Sequence, residues 1–139
     1  MIAGVRARQL SEAAALGVSG TVAVDDEIAM ARLAMVDGVI DTVGGETAAK
    51  LFAKVKNGGS FGYASVFPDG VSATNPTVKV TRVFARSDAS KVREFADDIR
   101  DGKFVLPISQ RMPLQDAAEA HALVQKGGSG KIVLVIRAS

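Results

Sequence analysis

The sequence predicts an α/β fold with a mainly parallel sheet. Short apolar or β-branched segments alternate with helix-forming segments along the 139 residues, and the connections between them are a few residues long. Such an order favours parallel strands joined by right-handed crossovers. An apolar content of 47% with a net charge of only +2 favours an ordered domain over a disordered chain. We therefore expect a single domain over residues 1–139 with its own core.

Each predicted element follows from a local signal. Short β-branched or apolar runs predict strands at 1–5, 20–24, 37–43, 60–66, 77–85 and 131–138. Apolar residues at helical spacing, bounded by acids or glycines, predict helices at 8–17, 25–35, 45–59, 88–102 and 115–130. The segment 67–76 is rich in Pro, Gly, Asn and Asp and predicts a loop, and 104–114 is extended and broken by two prolines.

The helix boundaries rest on particular residues. Gly17 is expected to end the first helix. In the third, Phe52 and Val55 share the apolar face, and Gly58 and Gly59 supply the stop. The fourth carries its own apolar face, formed by Val92, Phe95, Ala96 and Ile99.

Composition excludes several classes of protein. The chain has no cysteine and one histidine, so neither a disulfide framework nor a zinc site of the usual Cys/His sets can be built from it. Absence of cysteine also fits the cytoplasm. The 17 Lys and Arg are scattered, which disfavours nucleic-acid binding. No apolar run approaches the ~20 residues that span a bilayer, and the first ten residues lack the pattern of a signal peptide.

Ligands of open parallel sheets bind at the carboxyl ends of the strands, where two arginines follow the first strand. Arg6 and Arg8 suit a 2′-phosphate, whereas an acid at such a position would suit a ribose hydroxyl. For a fold that binds a dinucleotide, the pattern therefore favours NADP over NAD. The alternative is that both arginines are solvated charges at a helix entry.

Two glycine-rich segments are candidates for a phosphate loop, and both fail. "DTVGGE" (41–46) has adjacent glycines and no third glycine at the spacing of G-x-G-x-x-G. "KGGSGK" (126–131) precedes a strand instead of opening a helix, so its amides do not gather at a helix N-terminus. The dinucleotide fingerprint is absent from this sequence.

The other polar candidates favour structural roles. Asp41 lies near the end of an apolar strand, and we expect backbone amides to satisfy it; a catalytic acid is the alternative. His121 lies on a helix among apolar residues, which favours packing or a local hydrogen bond over acid–base work. Ser60, Tyr63 and Ser65 are hydroxyl donors with no base nearby in sequence.

The stretches "GVIDTVGGET", "VKNGGSFGYAS" and "MPLQDAAEAHALVQKGGSGKIVL" resemble the C-terminal part of a medium-chain dehydrogenase/reductase. The chain is most similar to the zinc-independent quinone oxidoreductase branch, the zeta-crystallin-like enzymes. The resemblance implies NADPH-dependent reduction of quinones or enones by a two-domain enzyme. It also implies a Rossmann-like parallel sheet with helices on both faces, here lacking the first strand and its glycine-rich loop.

The same resemblance assigns cofactor-binding positions and no catalytic residue or metal ligand. Arg6 and Arg8 would hold the 2′-phosphate, and Val24 replaces a tyrosine that many relatives place against adenine, which puts adenine stacking in doubt. The remaining positions fall near the riboses, the nicotinamide and a C-terminal turn: Thr42, Val43, Gly44, Gly62, Tyr63, Ala64, Phe84, Ala85, Arg86, Gly130 and Lys131.

The missing central strand has structural consequences. In this family's sheet the first strand lies between the strand at 1–5 and the strand at 37–43, so both should keep an unpaired edge. We expect the isolated chain to close the gap, swap an element or dimerise; relatives dimerise through the strand matching 77–85, which favours a homodimer. The segment 104–121 resembles the part that packs on the absent catalytic domain. It should expose a patch of Phe104, Val105, Ile108, Met112 and Leu114.

Two function classes follow. In the first, the chain is the cofactor-binding part of an NADPH-dependent reductase, inactive alone because the glycine-rich loop and the catalytic domain are missing. In the second, it is a stand-alone association module or remnant open reading frame without catalysis.

Overall fold

The structure is a computed structural model that describes residues 1–127 and 130–136. It divides into two compact units, Met1–Arg86 and a second unit that begins at Ser87. The first unit contains β1 (Ile2–Val5), α1 (Leu10–Ala14), β2 (Gly20–Ala23), α2 (Glu27–Arg32), β3 (Val36–Asp41), α3 (Gly45–Phe52), β4 (Val55–Tyr63) and β5 (Lys79–Arg82). The second contains α4 (Ala89–Arg100), β6 (Ile108–Pro113), α5 (Ala117–Lys126) and β7 (Lys131–Val135).

All strand pairs of the described residues are parallel, which confirms the predicted α/β fold. In the first unit β1 pairs with β2, and β3, β4 and β5 form a separate three-stranded sheet. In the second unit β6 pairs with β7. Within the described part of the first unit, β1 pairs with β2 alone and β3 with β4 alone. The two unpaired edges therefore occur where the family resemblance implied them, and among the described residues β1 and β3 belong to separate sheets.

The core of the first unit is an aromatic cluster between α3 and the three-stranded sheet. Phe52 of α3 and Phe61 of β4 are fully buried, and their ring centroids lie 5.6 Å apart in an edge-to-face arrangement. Phe67 packs on both rings, and Val55 and Val78 complete the cluster. Burying each large side chain contributes on the order of 2 kcal/mol, so this cluster fixes the position of β3 and β4.

The predicted third helix at 45–59 is too long, because its last part is a strand. α3 ends at Phe52, and β4 begins at Val55, whose side chain is buried in the aromatic cluster. Gly59 does not stop a helix: an added Cβ would lie 2.7 Å from the Asp37 carbonyl oxygen. The strand pairing shifts register in this region, so the glycines permit a bulge and a close backbone approach.

Carboxylates cap the N-termini of two helices, as the acidic patterns predicted. The Asp26 side chain accepts hydrogen bonds from the amides of Ile28 and Ala29 at 2.8 and 3.0 Å. Asp88 accepts one from the Lys91 amide at 3.0 Å, at the start of α4. The helices α1 and α2 are shorter than predicted, and Gly17 follows α1 with a φ of 73° in the turn after it.

The second unit leaves much of its apolar surface exposed. None of the residues of α4 is buried, although Val92 and Phe95 lie on its predicted apolar face. Four residues of the predicted patch are exposed: Phe104, Val105, Ile108 and Leu114. The prediction is wrong for Met112, which is buried within this structure. No helix among the described residues has the length and apolar character needed to cross a membrane.

Candidate functional site

The first unit contains an open cleft of about 1670 Å³. Residues of β1 and of β3 line it, together with the turns that follow β1, β2 and β3. It therefore contains carboxyl ends of parallel strands, where ligands of open α/β sheets bind. The predicted binding residues that it brings together are Arg6, Arg8, Thr42, Val43 and Gly62.

The turn after β1 is fixed by a carboxylate from the end of β2. The Asp25 side chain accepts a hydrogen bond from the Ala7 amide at 2.7 Å. Arg6 and Arg8 flank that amide, and both are exposed and line the cleft. Neither arginine forms an ion pair with any of the described residues, so both guanidinium groups can bind an anion.

Asp41 organises the turn after β3. Its side chain is 3% exposed, and its two carboxylate oxygens accept hydrogen bonds from the Val43 amide at 3.1 Å and the Gly44 amide at 2.9 Å. This confirms the structural role predicted for the acid, and it leaves Thr42 and Val43 exposed at the cleft. Asp41 shapes the site and does not present a free carboxylate to it.

Gly44 is required by the backbone of that turn. Its φ is 83°, and an added Cβ would lie 2.6 Å from the Val66 carbonyl oxygen. The next amide, that of Gly45, donates to the same oxygen at 3.0 Å. The glycine pair therefore joins the end of β3 to the segment after β4, and Gly44 itself is buried beside the cleft.

Gly62 differs from Gly44, because packing does not require a glycine there. The nearest atoms to an added Cβ are 3.9 Å away, and the residue lines the cleft. Of its neighbours, Tyr63 stacks on Phe67 with centroids 5.2 Å apart, and the Ala64 amide donates to the Asp41 carbonyl oxygen at 2.9 Å. The open face at Gly62 can admit a ligand without disturbing the core.

The remaining predicted positions lie outside the cleft. Phe84, Ala85 and Arg86 follow β5 and are exposed, with the Arg82 guanidinium 4.6 Å from the centroid of the Phe84 ring. Tyr63 and Ala64 follow the cleft-lining part of β4.

Gly130 and Lys131 belong to the second unit. The Lys131 amide donates to the Pro107 carbonyl oxygen at 2.7 Å. An added Cβ at Gly130 would lie 2.8 Å from the same oxygen, so the backbone approach at this turn explains the glycine.

Sequence reasoning missed the role of Asp25. The acids at the start of 25–35 predict a helix N-terminus, but Asp25 and Asp26 accept different hydrogen bonds. The Asp26 carboxylate caps the N-terminus of α2, whereas the Asp25 carboxylate accepts a hydrogen bond from the turn that carries the two arginines. Two consecutive acids directly after a strand were the available signal.

His121 and the possible metal ligands complete the candidates from the sequence. His121 is exposed on α5, so packing, the first of the two structural roles expected for it, is wrong. Across residues 1–127 and 130–136, no group of three or more His, Cys, Asp or Glu could hold a metal ion. With no cysteine and one histidine, the chain does not fit a zinc site of the usual ligand sets.

A family model described as "Zinc-binding dehydrogenase" matches residues 11–134. Since this match spans most of the chain, the protein belongs to that family, and the resemblance to medium-chain dehydrogenases/reductases is confirmed. A comparison with curated proteins finds no significant match.

Solved structures of larger enzymes share the fold. The quinone oxidoreductase from Coxiella burnetii aligns with a TM-score of 0.79 at 22% identity, covering 98% of this chain and 44% of that one. The quinone oxidoreductase from Pseudomonas syringae gives 0.73 at 24% identity, covering 96% and 48%. A crotonyl-CoA carboxylase/reductase in complex with NADP gives 0.66 at 19% identity, covering 96% and 43%. The chain thus spans less than half the length of each of these structures.

Proposed function

We propose that this chain is the cofactor-binding part of an NADPH-dependent quinone or enone oxidoreductase of the zinc-independent branch, and that it is inactive alone. The observation that carries the proposal is the part of the cleft at the carboxyl ends of the strands, where two exposed arginines, an open glycine and a turn held by a carboxylate line the same cleft. The alternative is a stand-alone association module.

The residues of the cleft suit one end of a dinucleotide better than its middle. Arg6 and Arg8 would bind the 2′-phosphate, because guanidinium groups match phosphate oxygens. Thr42, Val43 and Gly44 would lie near the riboses. The pyrophosphate has no matching feature, since the chain contains no G-x-G-x-x-G turn that opens a helix.

The nicotinamide end of the cofactor would lie beside β4, the strand that carries Gly62. Gly62, Tyr63 and Ala64 would lie beside the ring, Phe84, Ala85 and Arg86 near its carboxamide, and Gly130 and Lys131 at a further turn. NADPH supplies the hydride when it is bound, and the protein contributes binding and orientation. No residue of this chain is assigned proton transfer, and no step is assigned to a metal.

The test is a titration of the 139-residue chain with NADPH and, separately, with NADH. Calorimetry or the fluorescence of the nucleotide measures the binding. Without a pyrophosphate loop, we expect NADPH to bind with a Kd on the order of 10 μM or weaker. NADPH should bind about tenfold more tightly than NADH, because one charge-assisted contact to the 2′-phosphate is worth about 1.5 kcal/mol. Submicromolar binding would contradict the importance attributed to the missing loop.

Substitution of the two arginines tests the assignment of the phosphate site. R6A and R8A should each reduce the preference for NADPH without weakening NADH binding. R93A removes an exposed arginine of the second unit and is the matched control, with the preference unchanged. An unaltered preference in R6A/R8A would place the 2′-phosphate elsewhere, and no binding of either nucleotide up to millimolar concentration would favour the association module.

We further propose a homodimer formed through β5, and a cytoplasmic location. The support for the first is the outer edge of β5, which pairs with β4 on one side alone among the described residues. Sedimentation that shows only monomer at all micromolar concentrations would contradict the dimer.

A further inference from the structure

An acid lies beside the two arginines of the cleft, although none follows the first strand in the sequence. Asp25 comes from the end of β2, and its Oδ1 accepts the hydrogen bond from the Ala7 amide at 2.7 Å. Because Ala7 stands between Arg6 and Arg8, the carboxylate reaches the turn that carries both guanidinium groups. All three charged side chains are exposed and line the cleft. The fold thus joins a group that matches a 2′-phosphate to a group that matches a ribose hydroxyl.

The local structure uses only one oxygen of this carboxylate. Among the described residues, Oδ2 of Asp25 accepts no hydrogen bond, and the carboxylate forms no ion pair. Asp41 differs, because it is buried and both of its oxygens accept backbone hydrogen bonds. The start of α2 does not require Asp25 either, since the Asp26 carboxylate accepts hydrogen bonds from the Ile28 and Ala29 amides. One oxygen of an exposed carboxylate in the cleft is therefore left for a ligand.

A carboxylate at this turn acts on the two cofactors in opposite directions. Its oxygens accept hydrogen bonds, so it can bind the 2′-hydroxyl of the adenosine ribose in NADH. The 2′-phosphate of NADPH presents acceptor oxygens and negative charge at the same position, and a nearby carboxylate repels it. Arg6 and Arg8 have the reverse preference, because guanidinium groups match phosphate oxygens. One acid with two arginines is therefore the composition of a site whose preference for NADPH is moderate.

We propose that Asp25 is a specificity-determining residue, whose carboxylate accepts a hydrogen bond from the ribose 2′-hydroxyl of NADH and repels the 2′-phosphate of NADPH. It thereby limits the preference that Arg6 and Arg8 establish. The inference rests on the proposed function, since it requires the adenosine end of the cofactor to bind at those arginines. The carboxylate then has two tasks: Oδ1 holds the turn through the Ala7 amide, and Oδ2 contacts the ribose.

An asparagine at this position separates the two tasks. In D25N the side-chain oxygen still accepts the hydrogen bond from the Ala7 amide, whereas the charge is lost and an NH₂ donor replaces the second oxygen. NADPH should bind about three- to tenfold more tightly to D25N than to the unaltered chain, because the repulsion is removed. NADH should bind at least about threefold more weakly, because its 2′-hydroxyl loses a charged acceptor. A residue that only supports the turn would not produce changes of opposite sign.

An alanine at the same position removes both tasks. In D25A the Ala7 amide loses its acceptor, so its hydrogen exchange, measured by NMR without nucleotide, should quicken at least about fivefold. In D25N that exchange should remain as in the unaltered chain. Because the turn that carries the arginines is no longer held, D25A should bind NADPH and NADH more weakly than the unaltered chain does.

The adjacent acid supplies the matched control. Asp26 carries the same charge one residue further along the chain, is exposed like Asp25, and does not line the cleft. D26N should keep α2 intact, because asparagine caps a helix N-terminus about as well as aspartate does. The ratio of the Kd values for NADH and NADPH should therefore stay within about twofold of that of the unaltered chain.

Calorimetric titrations of the four chains with NADPH and NADH decide the matter. An unchanged Kd ratio in D25N, with both nucleotides bound by the unaltered chain, would overturn the role of Asp25 and leave the proposed function in place. Weaker binding of both nucleotides by D25N, as by D25A, would reduce the residue to a support of the turn. An equal change of the ratio in D26N would show a general effect of charge. Binding of neither nucleotide by the unaltered chain would overturn the proposed function and this role together.

Discussion

In the first unit, the rings of Phe52, Phe61 and Phe67 pack against one another between a helix and a three-stranded sheet. In the second unit, the helix α4 buries none of its twelve residues, and the buried apolar residues described there are Met112 and Ala120. Both units carry amphipathic patterns. The difference is whether another element covers the apolar face, and a periodic pattern does not contain that information.

The largest expected difference between the units concerns their aromatic residues. F61A should lower the free energy of unfolding of the first unit by about 3–5 kcal/mol, because it leaves a cavity in a closely packed cluster. F95A, which removes an exposed ring from α4, should change stability by less than about 1 kcal/mol. Urea unfolding followed by fluorescence of the single tyrosine, Tyr63, reports on the first unit because that ring stacks on Phe67.

Far-UV circular dichroism of both variants and of the unaltered chain completes the measurement, since it detects both units. Equal destabilisation by F61A and F95A would show that the second unit is covered as thoroughly as the first, and would contradict the comparison.

A smaller effect distinguishes two glycines within the first unit. G44A should destabilise by about 1–3 kcal/mol, because alanine is strained at a φ of 83° and its Cβ would collide with the Val66 backbone. G62A should cost less than about 1 kcal/mol, since its Cβ meets only ordinary contacts, yet it should weaken NADPH binding by intruding on the cleft. Thermal unfolding and nucleotide titration of the two variants measure both effects, and weakened binding without stability loss in G44A would reverse this assignment.

The smallest effect is expected at the exposed pair of Lys56 and Asp37, on β4 and β3. The hydrogen bond from Lys56, with its charge, lowers the pKa of Asp37 below its ordinary value. The stabilisation is therefore present above the unfolded-state pKa of about 4 and is lost as the pH falls through the lowered folded-state pKa. D37N should leave the urea midpoint at pH 7 almost unchanged, because solvent screens the pair. A large shift of that midpoint would mean that the ion pair contributes substantially to the stability of the sheet.

The fold class and several local features could be predicted from the sequence because short-range chemistry determines them. Asp26 and Asp88 bond amides two to three residues away, and Asp41 satisfies the turn directly after its own strand. Alternation of strands and helices likewise predicted the parallel pairing.

Features that depend on distant residues could not be predicted in the same way. Val55 matches the period of a helix face but is drawn into β4 by packing against Phe52 and Phe61. The hydrogen bond between the Asp25 carboxylate and the Ala7 amide joins residues 18 apart. Met112 is buried in a strand whose partner, β7, comes after α5 in the sequence. Local periodicity predicts neither this hydrogen bond nor the burial of Met112.

The central claim is that the strand ends of the first unit form a nucleotide-binding surface, and an NMR titration of the labelled full chain with NADPH tests it most directly. We predict that the largest amide shift changes fall on Arg6, Arg8, Thr42, Val43 and Gly62, with little change along α4. Changes spread evenly over both units, or concentrated on α4, would contradict the account.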